Sequence, residues 1–194
     1  MIPRRVLVTI LVLLAAVGGM FLYGVHLRRQ ALEMQQHAAR TRPVAPPVSG
    51  PTEHITIFTP DDDRGSLERR ELNVTLPTEP TMRAREIVHA LIDTWQQKDS
   101  RHPIGSNADV KAVFLLNDNK MAVVDVNAAF AEQHRSGILV EELTMASLAR
   151  TLGANVSGLQ QIKVIVEGRE RETLAGHADL TDFYSTSLDW KVEQ

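Results

Sequence analysis

The chain contains no cysteine. Disulfides, thiolate nucleophiles, cysteine-ligated metal sites and a lipid-modified cysteine anchor are therefore excluded. Aromatic side chains are scarce, with five Phe, two Tyr and two Trp in 194 residues, so the core must be built mainly from aliphatics. There is no excess of basic charge: 21 Lys and Arg stand against 24 Asp and Glu, a formal net charge of −3. A nucleic-acid-binding face would need clustered cations, so no nucleic-acid partner is expected. Arg69-Arg70 and Arg169 with Arg171 are interleaved with glutamates, the pattern of solvated strand faces. No internal repeat is visible.

One long hydrophobic run is present. Val6 to Val25 is 20 residues without a charge. At ~1.5 Å per residue such a helix crosses the ~30 Å of a bilayer's hydrocarbon, which predicts a transmembrane anchor over 1–26. A cleaved signal peptide is the competing reading. Arg4 and Arg5 suit it, while the length of the run and the lack of a clear small-x-small cleavage site between its end and Arg28 speak against it. Arg28, Arg29, Arg40 and Arg42 follow the run, and a bare count of arginines would place the rest of the chain in the cytoplasm. That rule weakens where a long folded domain follows. Residues 27–52 read as a juxtamembrane segment and a stalk: four of the nine prolines fall between Thr41 and Pro51, a composition for extended polyproline II at ~3.1 Å per residue.

Residues 53–194 suffice for one domain. His54 to Thr59 alternates as a strand ended by Pro60, and Asp61-Asp62-Asp63-Arg64-Gly65 reads as a solvated turn. A second strand covers Leu67 to Leu76. Thr81 to Gln97 is a helix whose stripe Ala84, Ile87, Val88, Leu91, Ile92, Trp95 faces the core. Val110 to Leu116 and Met121 to Val126 form a hairpin around Asn117-Asp118-Asn119-Lys120, residues that tolerate left-handed turn positions. The stretch around which the domain is organised is Gly137 to Gly168. Met145, Leu148, Ala149 and Leu152 recur at helical spacing, Glu141 and Glu142 sit in the first turn beside the positive end of the helix dipole, and Gly153 is the expected stop. Ile162, Val164 and Val166 then mark a strand buried on both faces, and Glu167-Gly168 turns the chain.

In order and spacing, several of these segments resemble the sporulation and spore-germination domain family known as GerMN, over His54 to Leu180. The residues that carry the resemblance are Ile55-Thr56-Ile57-Phe58-Thr59-Pro60, Leu67-Glu68-Arg69-Arg70, Arg85 to Ile92, Met121 to Asn127 with Phe130, Ser136-Gly137 with Glu141, Thr151-Leu152, Val164 to Gly168 and Gly176 to Leu180. The resemblance implies an α+β domain with one mixed, mainly antiparallel sheet and two helices on one face. It also implies an extracytoplasmic, membrane-tethered bacterial envelope protein without a known catalytic role, linked in spore formers to sporulation and germination. The chain departs from the family's pattern in having no lipobox cysteine, a single domain copy, and Thr94-Trp95 where Gly-Pro often closes the first helix.

Chemistry is harder to find. Gly65-Ser66, Gly105-Ser106 and Ser136-Gly137 lack the rest of a Gly-x-Ser-x-Gly elbow, and no His-Glu-x-x-His is present. Asp61-Asp62-Asp63 lacks the spaced ligands of a calcium loop. Asp125 and Asn127 suit bonds from a strand end to following backbone better than catalysis. No catalytic residue, metal or cofactor is expected. The expected function is protein–protein interaction or assembly at the bacterial inner membrane, with the outer stripe of the first helix, Arg83, Glu86, Ala90, Asp93 and Gln97, as the candidate surface for self-association or for other envelope proteins. An envelope enzyme or a ligand-binding receptor with a site assembled from loops is the alternative.

Overall fold

The computed structural model describes residues 50–187 and 192–193; the expected anchor and most of the stalk lie outside the described residues. Among the described residues no helix is long and apolar enough to cross a membrane.

Strands β1 (Thr52–Asp61) and β2 (Ser66–Thr75) pair antiparallel over their full lengths. β1 does not stop at Pro60. It is the outer strand of its sheet, where a missing ladder N–H is tolerated. The turn is built by Asp61, whose Oδ1 accepts the N–H of Asp63 and of Arg64, both at 3.1 Å, while Gly65 supplies the left-handed φ of 64°. Helix α1 (Pro80–Trp95) begins with Pro80 at its first position, and Glu79 caps it by accepting the N–H groups of Thr81 and Met82. Strands β3 (Val110–Leu116) and β4 (Met121–Val126) form the expected hairpin, and Asn117, Asp118 and Asn119 all have positive φ. A short helix α2 (Ala128–Glu132) is capped by Asn127, and helix α3 (Ile138–Asn155) leads into β5 (Gln161–Val166), which lies parallel to β4. Two short strands close the chain, β6 (Tyr184–Ser185) against β5 and β7 (Val192–Glu193) parallel to β2.

The domain is α+β, but its strands divide into two sheets, β1-β2-β7 and β3-β4-β5-β6, instead of the single sheet expected. Helix α3 explains the division. Ser147, Thr151 and Asn155 recur every four residues and cover the free edge of β1. The Ser147 hydroxyl donates to the Phe58 carbonyl, Phe58 N–H donates to Thr151 Oγ1 at 3.0 Å, and Asn155 exchanges two bonds with Thr56, donating at 2.6 Å and accepting at 3.2 Å. With its edge satisfied by side chains, β1 offers no ladder to the second hairpin.

The same packing alters the expected amphipathic pattern of α3. Residues 143–149 are all buried. Met145, Leu148, Ala149 and Leu152 join the main core with α1, β1 and the four-stranded sheet, whereas Leu143 and Ala146 join Phe58 and Leu67 in a second cluster. Gly153 is not the helix stop. The helix runs on to Asn155, and a Cβ at Gly153 would lie 2.7 Å from Thr186 Cβ, so glycine is needed there for close approach of the segment after β6.

Candidate functional site

The densest polar chemistry lies around the first turn of α3. Gly137, at its N-cap, has no side chain with which to cap the helix. Glu141, fully buried, reaches back instead and accepts Gly137 N–H at 3.1 Å. Its Oε2 accepts three more backbone N–H groups, from Ala175, His177 and Ala178, each at 2.9 Å, and Oε1 faces His177 Nδ1 at 2.9 Å. Burial opposes the charge, but the bond from His177 and those from the backbone outweigh it and hold the carboxyl down at about 2. Glu141 therefore pins the 175–178 loop to the helix start, a far larger role than the exposed dipole partner expected. Ser136 Oγ lies 3.4 Å from the same His177 Nδ1. A nucleophile and an acid on one ring nitrogen do not make a triad, which needs them on opposite nitrogens.

One turn further along α3, Thr144 joins two histidines. His102 Nε2 is 2.9 Å and His134 Nε2 2.7 Å from Thr144 Oγ1. His102 Nδ1 meets Asp62 Oδ1 at 2.7 Å, His134 Nδ1 meets the Arg135 carbonyl at 2.8 Å, and Arg135 Nη2 returns to Asp62 Oδ2 at 2.8 Å. Trp95 and Phe130 wall the rings. Next to Asp62, the buried Asp61 is paired with Arg101 and with Arg64. Burial pushes the Asp61 carboxyl up, but these arginines and the turn backbone prevail and lower it. The aspartate run is thus no solvated turn: two of its three carboxylates are buried ties to other segments, while Asp63 is exposed. Among the described residues no group of three or more His, Asp or Glu is placed to hold a metal ion.

The outer stripe of α1 is not continuous. Arg83 is held by Glu53 in a bidentate pair at 2.6 and 2.7 Å. Glu86 is buried beside Arg85, and Ala90 is half-buried, packing in part against the core. Asp93 and Gln97 are exposed, near the helix end. There α1 borders a cleft of about 380 Å³ lined by Glu68, Arg70, Trp95, Asp99, Ser100 and Arg101 among others. Sequence spacing gave no sign of this cleft, because it brings β2 against the loop after α1.

No family model and no curated protein matches the chain. Solved structures do. The tandem GerMN domains of the sporulation protein GerM from Bacillus subtilis align at a TM-score of 0.52 and 15% identity, over 70% of this chain and 46% of that one. The domain has a GerMN-like fold. The first GerMN domain of the same protein aligns at a TM-score of 0.47 and 15% identity, over 66% of this chain and 93% of that one. In the GerMN-like domain, two segments that carried the resemblance in sequence meet in space. Gly168 N–H donates to Asp125 Oδ1 at 2.8 Å, tying the turn after β5 to the end of β4. In the same turn Glu167, at φ 53°, accepts Ala128 N–H at 2.9 Å and Lys111 Nζ at 2.6 Å. Asn127 does what its position suggested, accepting Phe130 N–H at 3.0 Å. The polar residues of these segments secure backbone.

Proposed function

We propose that this is a membrane-anchored bacterial envelope protein whose GerMN-like domain works by binding other proteins, its own copies among them, and performs no chemistry itself. The observation that carries the proposal is what the best-converged ionisable side chains do: Glu141, Asp61 and Asp125 spend their oxygens on backbone N–H groups and internal pairs. The uncharged run at residues 6–25 supports a single-pass membrane anchor, and the resemblance to GerMN domains supports an inner-membrane protein with its domain extracytoplasmic. The likeness to GerM, described as a sporulation protein, supports a role in sporulation or germination. Tethering raises effective concentration, so contacts too weak to persist in solution operate at the membrane. The surface we propose is the exposed end of the outer stripe of α1 at Asp93, together with Gln97 just past the helix, which ends at Trp95 and not at Gln97 as expected.

The test is crosslinking in intact membranes. The anchored protein should crosslink to itself or to another envelope protein, and Asp93→Arg combined with Gln97→Arg should abolish the product without lowering thermal stability. A surviving crosslink would reject this surface, and turnover of an envelope substrate by the protein would reject the non-catalytic reading. Alkaline carbonate should leave the full chain in the membrane fraction; recovery in the soluble fraction of protein cut near residue 26 would reject the anchor. A second reading, a receptor for a small polar ligand, is favoured by the cleft beside Trp95. It offers both charge signs, and the buried Trp95 indole N–H has no hydrogen-bond partner among the described residues.

A further inference from the structure

The two histidines that meet at Thr144 contain one hydrogen too few if both are neutral. His134 Nδ1 faces a carbonyl and His102 Nδ1 faces a carboxylate. Neither oxygen can donate, so both Nδ1 atoms must carry N–H. In neutral imidazoles both Nε2 atoms are then bare acceptors, and both point at the Thr144 oxygen, at 2.9 and 2.7 Å. A hydroxyl has one hydrogen. One ring's lone pair would therefore face an oxygen lone pair, among side chains that are all buried. One additional proton removes the conflict: one Nε2–H donates to Thr144 Oγ1, and the hydroxyl donates to the other Nε2. A second additional proton could also be accommodated by turning the hydroxyl to the Val140 carbonyl, 3.0 Å away, but it would set two imidazolium charges 5.7 Å apart in the interior.

We propose that Asp62, His102, Thr144 and His134 form a one-proton clasp that fastens the β1–β2 turn, the loop after α1 and the loop after α2 to the start of α3, and that loosens when its proton is withdrawn. Every charged group around the rings fits a single extra proton. His102 faces the Asp62 carboxylate from the β1–β2 turn, and Asp62 is also held by Arg135. Asp61, beside it, is answered by Arg64 and Arg101. On α3, the Glu141 carboxylate is held by four backbone N–H groups, from Gly137, Ala175, His177 and Ala178. α1 and α2 contribute the uncharged rings of Trp95 and Phe130. His134 Nδ1 faces a neutral carbonyl. Burial holds its ring toward the neutral form, as does charge on His102, with the Arg135 carbonyl, Glu141 and Asp62 opposing less strongly. Because the loop carrying His102 also supplies Ser100 and Arg101 to the cleft beside Trp95, loosening the clasp would open one wall of that cleft.

The sign follows from proton counts. Above ~6.5, where unfolded histidines are neutral, the folded pair still holds one proton, so stability falls as pH rises until that proton leaves. On the acid side the unfolded chain takes two protons while the folded pair resists the second, so stability falls there too. The deciding measurement is ring ¹⁵N spectroscopy of the histidine-labelled full chain in detergent at pH 7.5. The expected spectrum has one of His102 and His134 carrying both ring protons and the other as the neutral Nδ1–H tautomer. Thr144→Ser should keep this pattern, and Thr144→Val should leave two neutral rings. Two neutral rings in the unaltered protein at pH 7.5 would overturn the proposal. Should Thr144→Val not fold, denaturation of the unaltered chain decides: its folding constant should drop by up to ~10-fold per pH unit above ~6.5, the slope of one proton, and a flat or rising profile would overturn the clasp.

Discussion

Replacing Glu141 by Gln removes one charge and one acceptor atom while keeping the shape of the side chain. In the folded domain that carboxylate accepts four backbone N–H groups and faces His177 Nδ1. An amide has a single acceptor oxygen, so at best it keeps the three loop N–H groups and turns its NH₂ toward Gly137 N–H, donor against donor. Hydrogen bonds to charged groups contribute ~1.5–3 kcal/mol each, and the three retained bonds lose their charge assistance. The expected loss is about 3 kcal/mol at pH 7, against ~0.3–1 kcal/mol if the residue acted only through the helix dipole. For a domain of this size that corresponds to a fall in Tm of roughly 6–12 °C. Urea denaturation at pH 7 measures the loss, and amide exchange at Ala175, His177 and Ala178 should quicken well beyond the rest of the domain. The acid limb supplies an independent check. The folded carboxyl sits at about 2 and its ordinary value is 4.5, so its stabilisation is complete above about 4.5 and disappears as pH falls toward 2. In Glu141→Gln that part of the acid dependence should be missing. A loss below ~0.5 kcal/mol, or an unchanged acid limb, would refute the role assigned to Glu141, since it would match only a surface dipole contact.

Three further outcomes are expected. Leu148→Ala or Leu152→Ala should each cost ~2–5 kcal/mol in chemical denaturation, because both side chains are fully buried between α3 and the main core. Gly153→Ala, ordinarily worth ~0.5–1 kcal/mol of gain within a helix, should destabilise by ~1–3 kcal/mol through its clash with Thr186, and Thr186→Gly should relieve the loss in a double-mutant cycle. Asn155→Ala should cost ~2 kcal/mol and promote concentration-dependent aggregation seen by light scattering, because it strips the cover from the edge of β1 at Thr56.

Much of the fold was legible because its signals are local. Strand alternation over residues 110–126 and three successive Asn and Asp residues specify the β3–β4 hairpin without help from the rest of the chain. The core stripe of α1 and the Met145, Leu148, Ala149, Leu152 set of α3 are where helical periodicity places them. Periodicity cannot report how many faces of a helix are covered. Nothing in the spacing of Ser147, Thr151 and Asn155 sets them apart from any solvated polar residues, yet they cap a strand edge some ninety residues earlier in the chain.

What the sequence determined by itself is therefore the order of the main elements from β1 to β5, the uncharged run at residues 6–25 and the exclusion of cysteine chemistry. The tertiary structure alone decided which polar residues matter. Asp62 meets His102 across 40 positions, Thr144 meets His102 across 42, and Glu141 meets His177 across 36. No local pattern encodes such meetings, because a buried carboxylate or imidazole is specified by whichever donors and acceptors the fold brings to it, and burial makes leaving any of them unpaired costly.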